Sequence, residues 1–291
     1  MWMIPLQRPG CFLRTSCYGI RNHHKFRRIY SASWTMTLNS KSFLTSTKEE
    51  LSIQPRKLSA TPLETITTSN LRFDRLQPSD EEFIQENRFE FGNFVAREPL
   101  IDEEFWTAAW LRAETHWEDQ NNDRYADNYK RQFAEQEFNA LKRRSKVKLG
   151  QKCSCIVAVK KEETNVKRTV LKSVVGTLDL SIRCLLYGET FPGEMVKTHL
   201  FCCISRKDSN KYGYIANLCV AKSARRQGIA RNMLHFAIES ANSNGAEEVF
   251  VHVHRNNSPA QDLYQKIGFE VVDMASPQLQ NERTYLLRFK T

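Results

Sequence analysis

No run of about 18 consecutive apolar residues occurs in this 291-residue sequence, so it encodes no transmembrane helix. Glycine and proline are scarce, at 11 and 9, which excludes collagen-like and low-complexity chains. Among eight cysteines there is no Cys-x-x-Cys, and none of the seven histidines is spaced to complete a zinc cluster, so no metal is expected. Cys153 and Cys155 alternate within an apolar run and Cys202 and Cys203 are adjacent, the usage of reduced, small core residues. Phosphate-binding signatures of the G-x-G-x-x-G and Gly-Lys-Ser/Thr types are absent as well. The most informative absence is acidic: residues 1–48 contain no Asp or Glu.

What is present in that segment is Arg8, Arg14, Arg21, Lys25, Arg27, Arg28, Lys41 and Lys48, together with many Ser and Thr. The chain carries 43 basic and 33 acidic residues, net +10, and this leader supplies nearly all of the excess. A near-neutral body has no electrostatic footprint for nucleic acid. An Arg- and Ser-rich, acid-free leader has the composition of an organellar transit peptide, with a disordered basic tail as the plainer alternative. Residues 1–60 are read as leader and linker, with cleavage somewhere within about 45–65, and residues 61–291 as one folded domain.

After the polar stretch 49–70, a short strand is expected at Leu71–Leu76, with Ser79 capping a helix that begins at Asp80. Helices follow at 103–118 and about 125–144, the second with Tyr129, Phe133, Ala134, Phe138 and Leu141 at helical spacing, read as core. From residue 150 the pattern changes to strands: Cys153–Val159, Val174–Ile182, a short one at Leu200–Ile204, Tyr214–Val220, Glu248–His254, Phe269–Asp273 and Thr284–Phe289. Helices alternate with them at Arg226–Ala241 and Pro259–Lys266. Such alternation predicts an α/β or α+β sheet flanked by helices.

Two segments carry chemistry. The first is a strand ending Leu218-Cys219-Val220, then the basic turn Arg225-Arg226-Gln227-Gly228-Ile229-Ala230-Arg231, then a helix whose apolar face includes Met233, Leu234 and Ala237. A helix start presents unpaired N–H groups and a favourable dipole to an anion, and Gly228 lets the backbone approach it closely. This spacing suits a pyrophosphate, although a basic helix start without a ligand explains the turn alone. The second is the strand Val249–His254, the turn Asn256-Asn257-Ser258-Pro259, and a two-turn helix carrying Tyr264 and stopping at Gly268-Phe269.

R-x-x-G-x-A at 225–230 followed by N-x-x-A-x-x-x-Y-x-K-x-G-F at 257–269 resembles the GNAT acetyltransferase family, closely over 212–274 and loosely over about 70–290. With the leader, the chain is similar to the plant plastid branch, whose members acetylate protein N-termini and lysine side chains. The resemblance implies a mixed central sheet of about six to seven strands with acetyl-CoA in the splay between the two central ones. It gives the backbone of Leu218, Cys219 and Val220 to the pantetheine arm, the turn Arg225–Ala230 with Arg231 to the pyrophosphate, and Asn257, with Ser258 and Pro259, to the pantetheine region. It places Tyr264 by the thioester sulfur as general acid. Against this, Tyr264 reads alone as a core aromatic.

An amine acceptor is mostly protonated at neutral pH, with a pKa of about 8 for an α-amine and about 10 for lysine, so a proton must be taken from it. Relatives acting on histone lysines carry a Glu where this sequence has Tyr214. A branch acting on protein N-termini is more similar here and pairs a Tyr at the Tyr214 position with a His at the His252 position around an ordered water. An imidazole suits that task; alternatively His252 and His254 only pack on the sheet. Asp102, Glu103, Glu104, Glu114, Glu118, Asp119, Asp123 and Asp127, with Trp106, Trp110, Trp117 and Tyr125, fit either an acidic, aromatic-rimmed groove for a cationic acceptor or solvated helix faces over core tryptophans.

The function implied is acetyl transfer from acetyl-CoA to protein N-termini and lysines of organellar proteins, in a plastid stroma or else a mitochondrion. The alternatives are a small-amine acetyltransferase and a non-catalytic acetyl-CoA sensor.

Overall fold

Strands Lys152–Lys160 and Val174–Cys184 show why this chain makes a sheet covered on both sides. Along the first, Cys155, Val157 and Val159 join one apolar cluster while Ile156 and Ala158 join another, the period of two that a pleated strand imposes. The computed structural model describes residues 71–78, 87–118, 125–146, 152–161, 168–185, 188–194, 211–275 and 283–291. The leader, the Ser79 cap and its helix, the strand expected at 200–204, and Cys202 and Cys203 lie outside them.

Eight strands form one sheet: β1 (Arg88–Phe91), β2 (Phe94–Arg97), β3 (Lys152–Lys160), β4 (Val174–Cys184), β5 (Lys211–Val220), β6 (Glu248–His254), β7 (Glu270–Val271) and β8 (Thr284–Lys290). Their order is β1-β2-β3-β4-β5-β6-β8-β7. All neighbours are antiparallel except the central pair, β5 and β6. The helices are α1 (Asp102–His116), α2 (Ala126–Lys146), the single turn α3 (Val170–Ser173), α4 (Ile229–Ser243) and α5 (Ser258–Ile267).

One face of the sheet is covered by α4 and α5. Met233, Leu234 and Ala237 of α4 pack with Leu178 and Leu180 of β4, Ile215 of β5 and Val251 of β6, three neighbouring central strands. The approach is close: a Cβ on Gly176 of β4 would meet Met233 Sδ at 2.8 Å. The opposite face is covered by α1 and α2, whose Trp106, Ala109, Phe138 and Leu141 pack on Cys155 and Val157. Further along that face, Tyr212, Tyr214, Phe250 and Leu286 pack with Phe191 and Val272.

Several expectations change. Leu71–Leu76 is not a strand: a turn spans Phe73-Asp74, and Leu76 makes only an isolated bridge to Thr169. Phe73 instead packs edge-on against Trp106 at 6.0 Å. Two of the eight strands, β1 and β2, form a hairpin not expected from the sequence, turning at Gly92-Asn93, a two-residue loop between apolar runs. On α2, Ala134, Phe138 and Leu141 are buried, but Tyr129 is 45% exposed and is not core. The strand expected at Phe269–Asp273 shrinks to Glu270–Val271, because Phe269 N–H closes the end of α5 on Tyr264 O at 3.0 Å and Asp273 enters a 3-10 turn.

Candidate active site

Strands β5 and β6 pair only over Tyr212–Ile215 and Glu248–Val251, although β5 continues to Val220 and β6 to His254. The reason lies on the other edge of β5. Against β4, Thr177 faces Cys219 and Asp179 faces Ala216, so Asn217 and Leu218 together oppose Leu178 alone. This is a β-bulge, which bends a strand and sharpens its twist. Asn217 adopts the left-handed conformation there, φ 54, a region that asparagine tolerates better than other side chains. Leu218 of the bulge and Val220 beyond it pack toward the α4/α5 core. Cys219 is half-buried with its thiol pushed above its ordinary pKa by burial, a protonated packing group.

The chain then makes a 3-10 turn at Lys222–Ala224 and enters α4 through Arg225–Gly228. Arg226 and Gly228 are left-handed, φ 67 and 77, which is why the helix starts at Ile229 and not at Arg226. Gly228 is the N-cap residue, and no side chain caps the helix. Its first-turn N–H groups therefore suit an anion. Arg226, Gln227 and Arg231 are exposed around this turn and Ala230 is half-buried. Arg225 is engaged differently: its guanidinium makes two hydrogen bonds to Glu118, at 2.9 and 2.6 Å, and its Nε donates to Val220 O at 3.2 Å. Its charge is matched within the protein, and it braces the turn against the segment after α1.

Helix α5 starts the opposite way. Asn257, 7% exposed, accepts the Ala260 N–H on Oδ1 at 3.2 Å, with Ser258 and Pro259 exposed in the first turn. One turn further in, Tyr264 is 4% exposed and packs edge-on to Phe269 at 5.4 Å. Burial, with the Cys219 thiol adding to it, raises its pKa well above the ordinary phenol value, so the hydroxyl keeps its proton.

Tyr214 and His252 meet on the opposite face. The Tyr214 hydroxyl lies 2.8 Å from His252 Nδ1. Burial lowers the imidazole pKa to about 4, so the ring is neutral at neutral pH. With its proton on Nε2, Nδ1 accepts from the tyrosine hydroxyl. The Arg183 guanidinium sits over the Tyr214 ring at 5.4 Å. His254, two residues on, accepts the Asn256 N–H at 3.1 Å and shapes the turn before α5.

Most acids of α1, α2 and the segment after α1 are engaged by neighbouring groups among the described residues. Glu104 holds Arg97 in a buried two-point pair at 2.6 and 2.8 Å. Glu103 pairs with Arg75, Asp102 with Lys142, Asp127 with Lys130, and Glu118 with Arg225 and Lys222. Glu114 accepts the Trp110 indole N–H, and Trp106 is buried. Asp119 and Asp123 lie outside the described residues. Asp127 and Glu114 are exposed on helix faces and Trp106 is a core tryptophan, as the second expectation has it, while Glu103, Glu104 and Glu118 are held in internal ion pairs that neither expectation anticipated.

A cluster absent from the sequence reading lies beneath. Arg112 of α1 forks onto Asp179 of β4 at 2.8 and 3.0 Å and reaches Glu137 of α2 at 2.9 Å and Thr177 Oγ1 at 2.7 Å. Arg144 joins Glu137 and Asp179 at 2.9 and 3.1 Å. Two cations balance two anions, the condition under which burial of charge is tolerable. Among the described residues no group of His, Cys, Asp and Glu could hold a metal, and no helix is long and apolar enough to cross a membrane.

Residues 101–269 match the model of the acetyltransferase (GNAT) family. The chain is 63% identical over 268 residues, 91% of its length and 92% of the relative's, to GCN5-related N-acetyltransferase 6, chloroplastic, of Arabidopsis thaliana. It is 29% identical to GCN5-related N-acetyltransferase 7, chloroplastic, of the same plant, over 62% of this chain and 68% of that one. N-alpha-acetyltransferase 50 of Danio rerio is 31% identical over 28% of this chain and 54% of its own. The bulged, half-unpaired β5, the uncapped start of α4 and the motifs at 225–230 and 257–269 thus belong to an acetyltransferase that uses acetyl-CoA, and the chain is a member of the GNAT family.

Proposed function

We propose that this protein acetylates protein amines, both α-amino termini and lysine ε-amines, in the chloroplast, by direct attack of the amine on the thioester of acetyl-CoA. The observation that carries the reading is the Tyr214–His252 contact at 2.8 Å on one face of the sheet, with Tyr264 buried on the other and the unpaired stretch of β5 and β6 between them.

In this mechanism, backbone groups of Leu218–Val220 and the start of α4 bind the donor, and holding donor and acceptor together lowers the entropic barrier. The amine nitrogen attacks the carbonyl carbon, the C–N bond forms and the C–S bond breaks. Tyr264 keeps its proton until the thiolate leaves and then supplies it. The proton lost by the amine passes through His252 and Tyr214 to water. An imidazole of pKa about 4 relays a proton and does not store it. Asn257 uses its side-chain carbonyl to cap α5, which leaves its amide NH2 for the pantetheine. Internal pairing of Glu103, Asp102 and Glu118 weakens the acidic groove expected for a cationic amine or a basic peptide alike, so it favours neither acceptor. The chloroplast assignment rests on the acid-free leader at 1–48 and the chloroplastic relatives.

Expression of the full chain in a bacterium, with acetylated N-termini and lysines mapped by mass spectrometry beside Tyr264→Phe, tests this reading. New marks on both amine types, absent in the variant, are expected. Marks on one type alone narrow the acceptor class, and acetylation of polyamines with no protein marks refutes protein acetylation.

A further inference from the structure

The bulge in β5 is tied down by a side chain that no motif singles out. Asn217, the left-handed bulge residue, donates its Nδ2–H to Asp179 Oδ2 at 2.9 Å across the β4–β5 ladder. Asp179 is 2% exposed and flanked by Arg112 and Arg144, whose charges hold its carboxyl below the usual range despite burial. A carboxylate only accepts, so the Asn217 amide must turn its NH2 group toward it. The amide's orientation, and with it the bulge conformation, is thereby set from beneath.

Both carboxylate oxygens of Asp179 are engaged. Its Oδ1 takes Arg112 Nη2, and its Oδ2 takes Arg112 Nη1, Arg144 Nη1 and Asn217 Nδ2. Arg112 comes from α1 and Arg144 from α2, so two helices of the opposite layer fix one carboxylate, which fixes one bulge residue. Pairing of β5 with β6 stops at Ile215, two residues before that bulge, and Leu218–Val220 follows directly after it.

We propose that Asp179 is a positioning residue for acetyl transfer: through Asn217 it holds the β5 bulge in the shape that opens β5 from β6 and aims the Leu218–Val220 backbone at the donor. This rests on the assignment of that backbone to acetyl-CoA. Arg112 and Arg144 act one step further back, by fixing the carboxylate.

The test is calorimetric binding of acetyl-CoA to the full chain and three variants, with melting temperature and the KM of each substrate measured in parallel. Asn217→Gly keeps the left-handed backbone at low cost and deletes only the tether. It is expected to raise the acetyl-CoA Kd and KM about five- to tenfold, part of the worth of one buried hydrogen bond to a charge, with little change in melting temperature or acceptor KM. Asp179→Ala is expected to weaken the donor as much, and the double variant Asp179→Ala/Asn217→Gly no more than either alone, since both cut one tether. An unchanged Kd in Asn217→Gly overturns the proposal, as do additive losses in the double variant. If Asp179→Ala does not fold, Asn217→Gly alone decides. A wild-type protein that binds no acetyl-CoA would instead refute the donor assignment itself.

Discussion

The segment from β5 to α5 and the layer of α1 and α2 are both densely charged or polar, yet they are built by opposite rules. Between Lys211 and Ile267, apart from the Tyr214–His252 contact, the features are local: a bulge within one strand, a left-handed Gly228 before a helix, an Asn257 cap three residues from the N–H it receives. In the α1/α2 layer the features are long-range. Arg112 finds its partners 25 and 67 residues away, and Glu118 finds Arg225 at a separation of 107. Backbone geometry makes the donor half; paired charges make the half that supports it. Mutations should therefore affect chemistry and binding in the first, and in the second chiefly stability, with donor binding reached only through Asp179.

The largest expected effect sharpens that division. Tyr264→Phe removes one hydroxyl from a buried ring and should lower kcat about 10²- to 10⁴-fold while the acetyl-CoA Kd and the melting temperature stay near wild type. A comparable rise in Kd would make Tyr264 a packing residue. In the other half, Arg112→Met leaves Asp179 and Glu137 without their shared cation and should destabilise the fold by about 3–5 kcal/mol, read by chemical denaturation. A loss of activity with full stability would break the comparison.

His252 predicts a pH dependence with a definite sign. Its folded pKa, about 4, lies below the unfolded value of 6.5, so the unfolded state binds the proton more readily. Stability should be level above about pH 6.5 and fall as the pH drops toward 4, by about 2 kcal/mol at pH 5. His252→Gln should remove most of that slope in urea titrations at pH 7.5 and 5.0, and an unaltered slope would assign the acid sensitivity elsewhere. The smallest effect belongs to Gly228→Ala, whose left-handed backbone costs about 1 kcal/mol with a Cβ present. Acetyl-CoA KM should rise several-fold, with the acceptor KM unmoved.

Legibility in the sequence follows the same line. Periodicity located β3, β4, β5, β6, β8 and four-turn α4, because each alternates or repeats within its own span. Tyr214 and His252 could be paired only through the family resemblance, since their contact depends on the register of β5 against β6. The ion cluster of Arg112, Glu137, Arg144 and Asp179 left no trace, because a buried arginine and an exposed one look alike in a helix. Glu118 was read as a surface acid for the same reason, and its partner Arg225 as a phosphate ligand. Asn217 carried a faint signal, an asparagine inside an apolar strand, the residue type that tolerates a left-handed turn.

A crystal structure with acetyl-CoA bound tests the central claim most directly. The account predicts the pantetheine along Leu218–Val220, the pyrophosphate at the start of α4, and the thioester sulfur within about 3.5 Å of the Tyr264 hydroxyl, with the acetyl group directed toward Tyr214 and His252. A donor bound outside the gap between β5 and β6, or a sulfur remote from Tyr264, would contradict it.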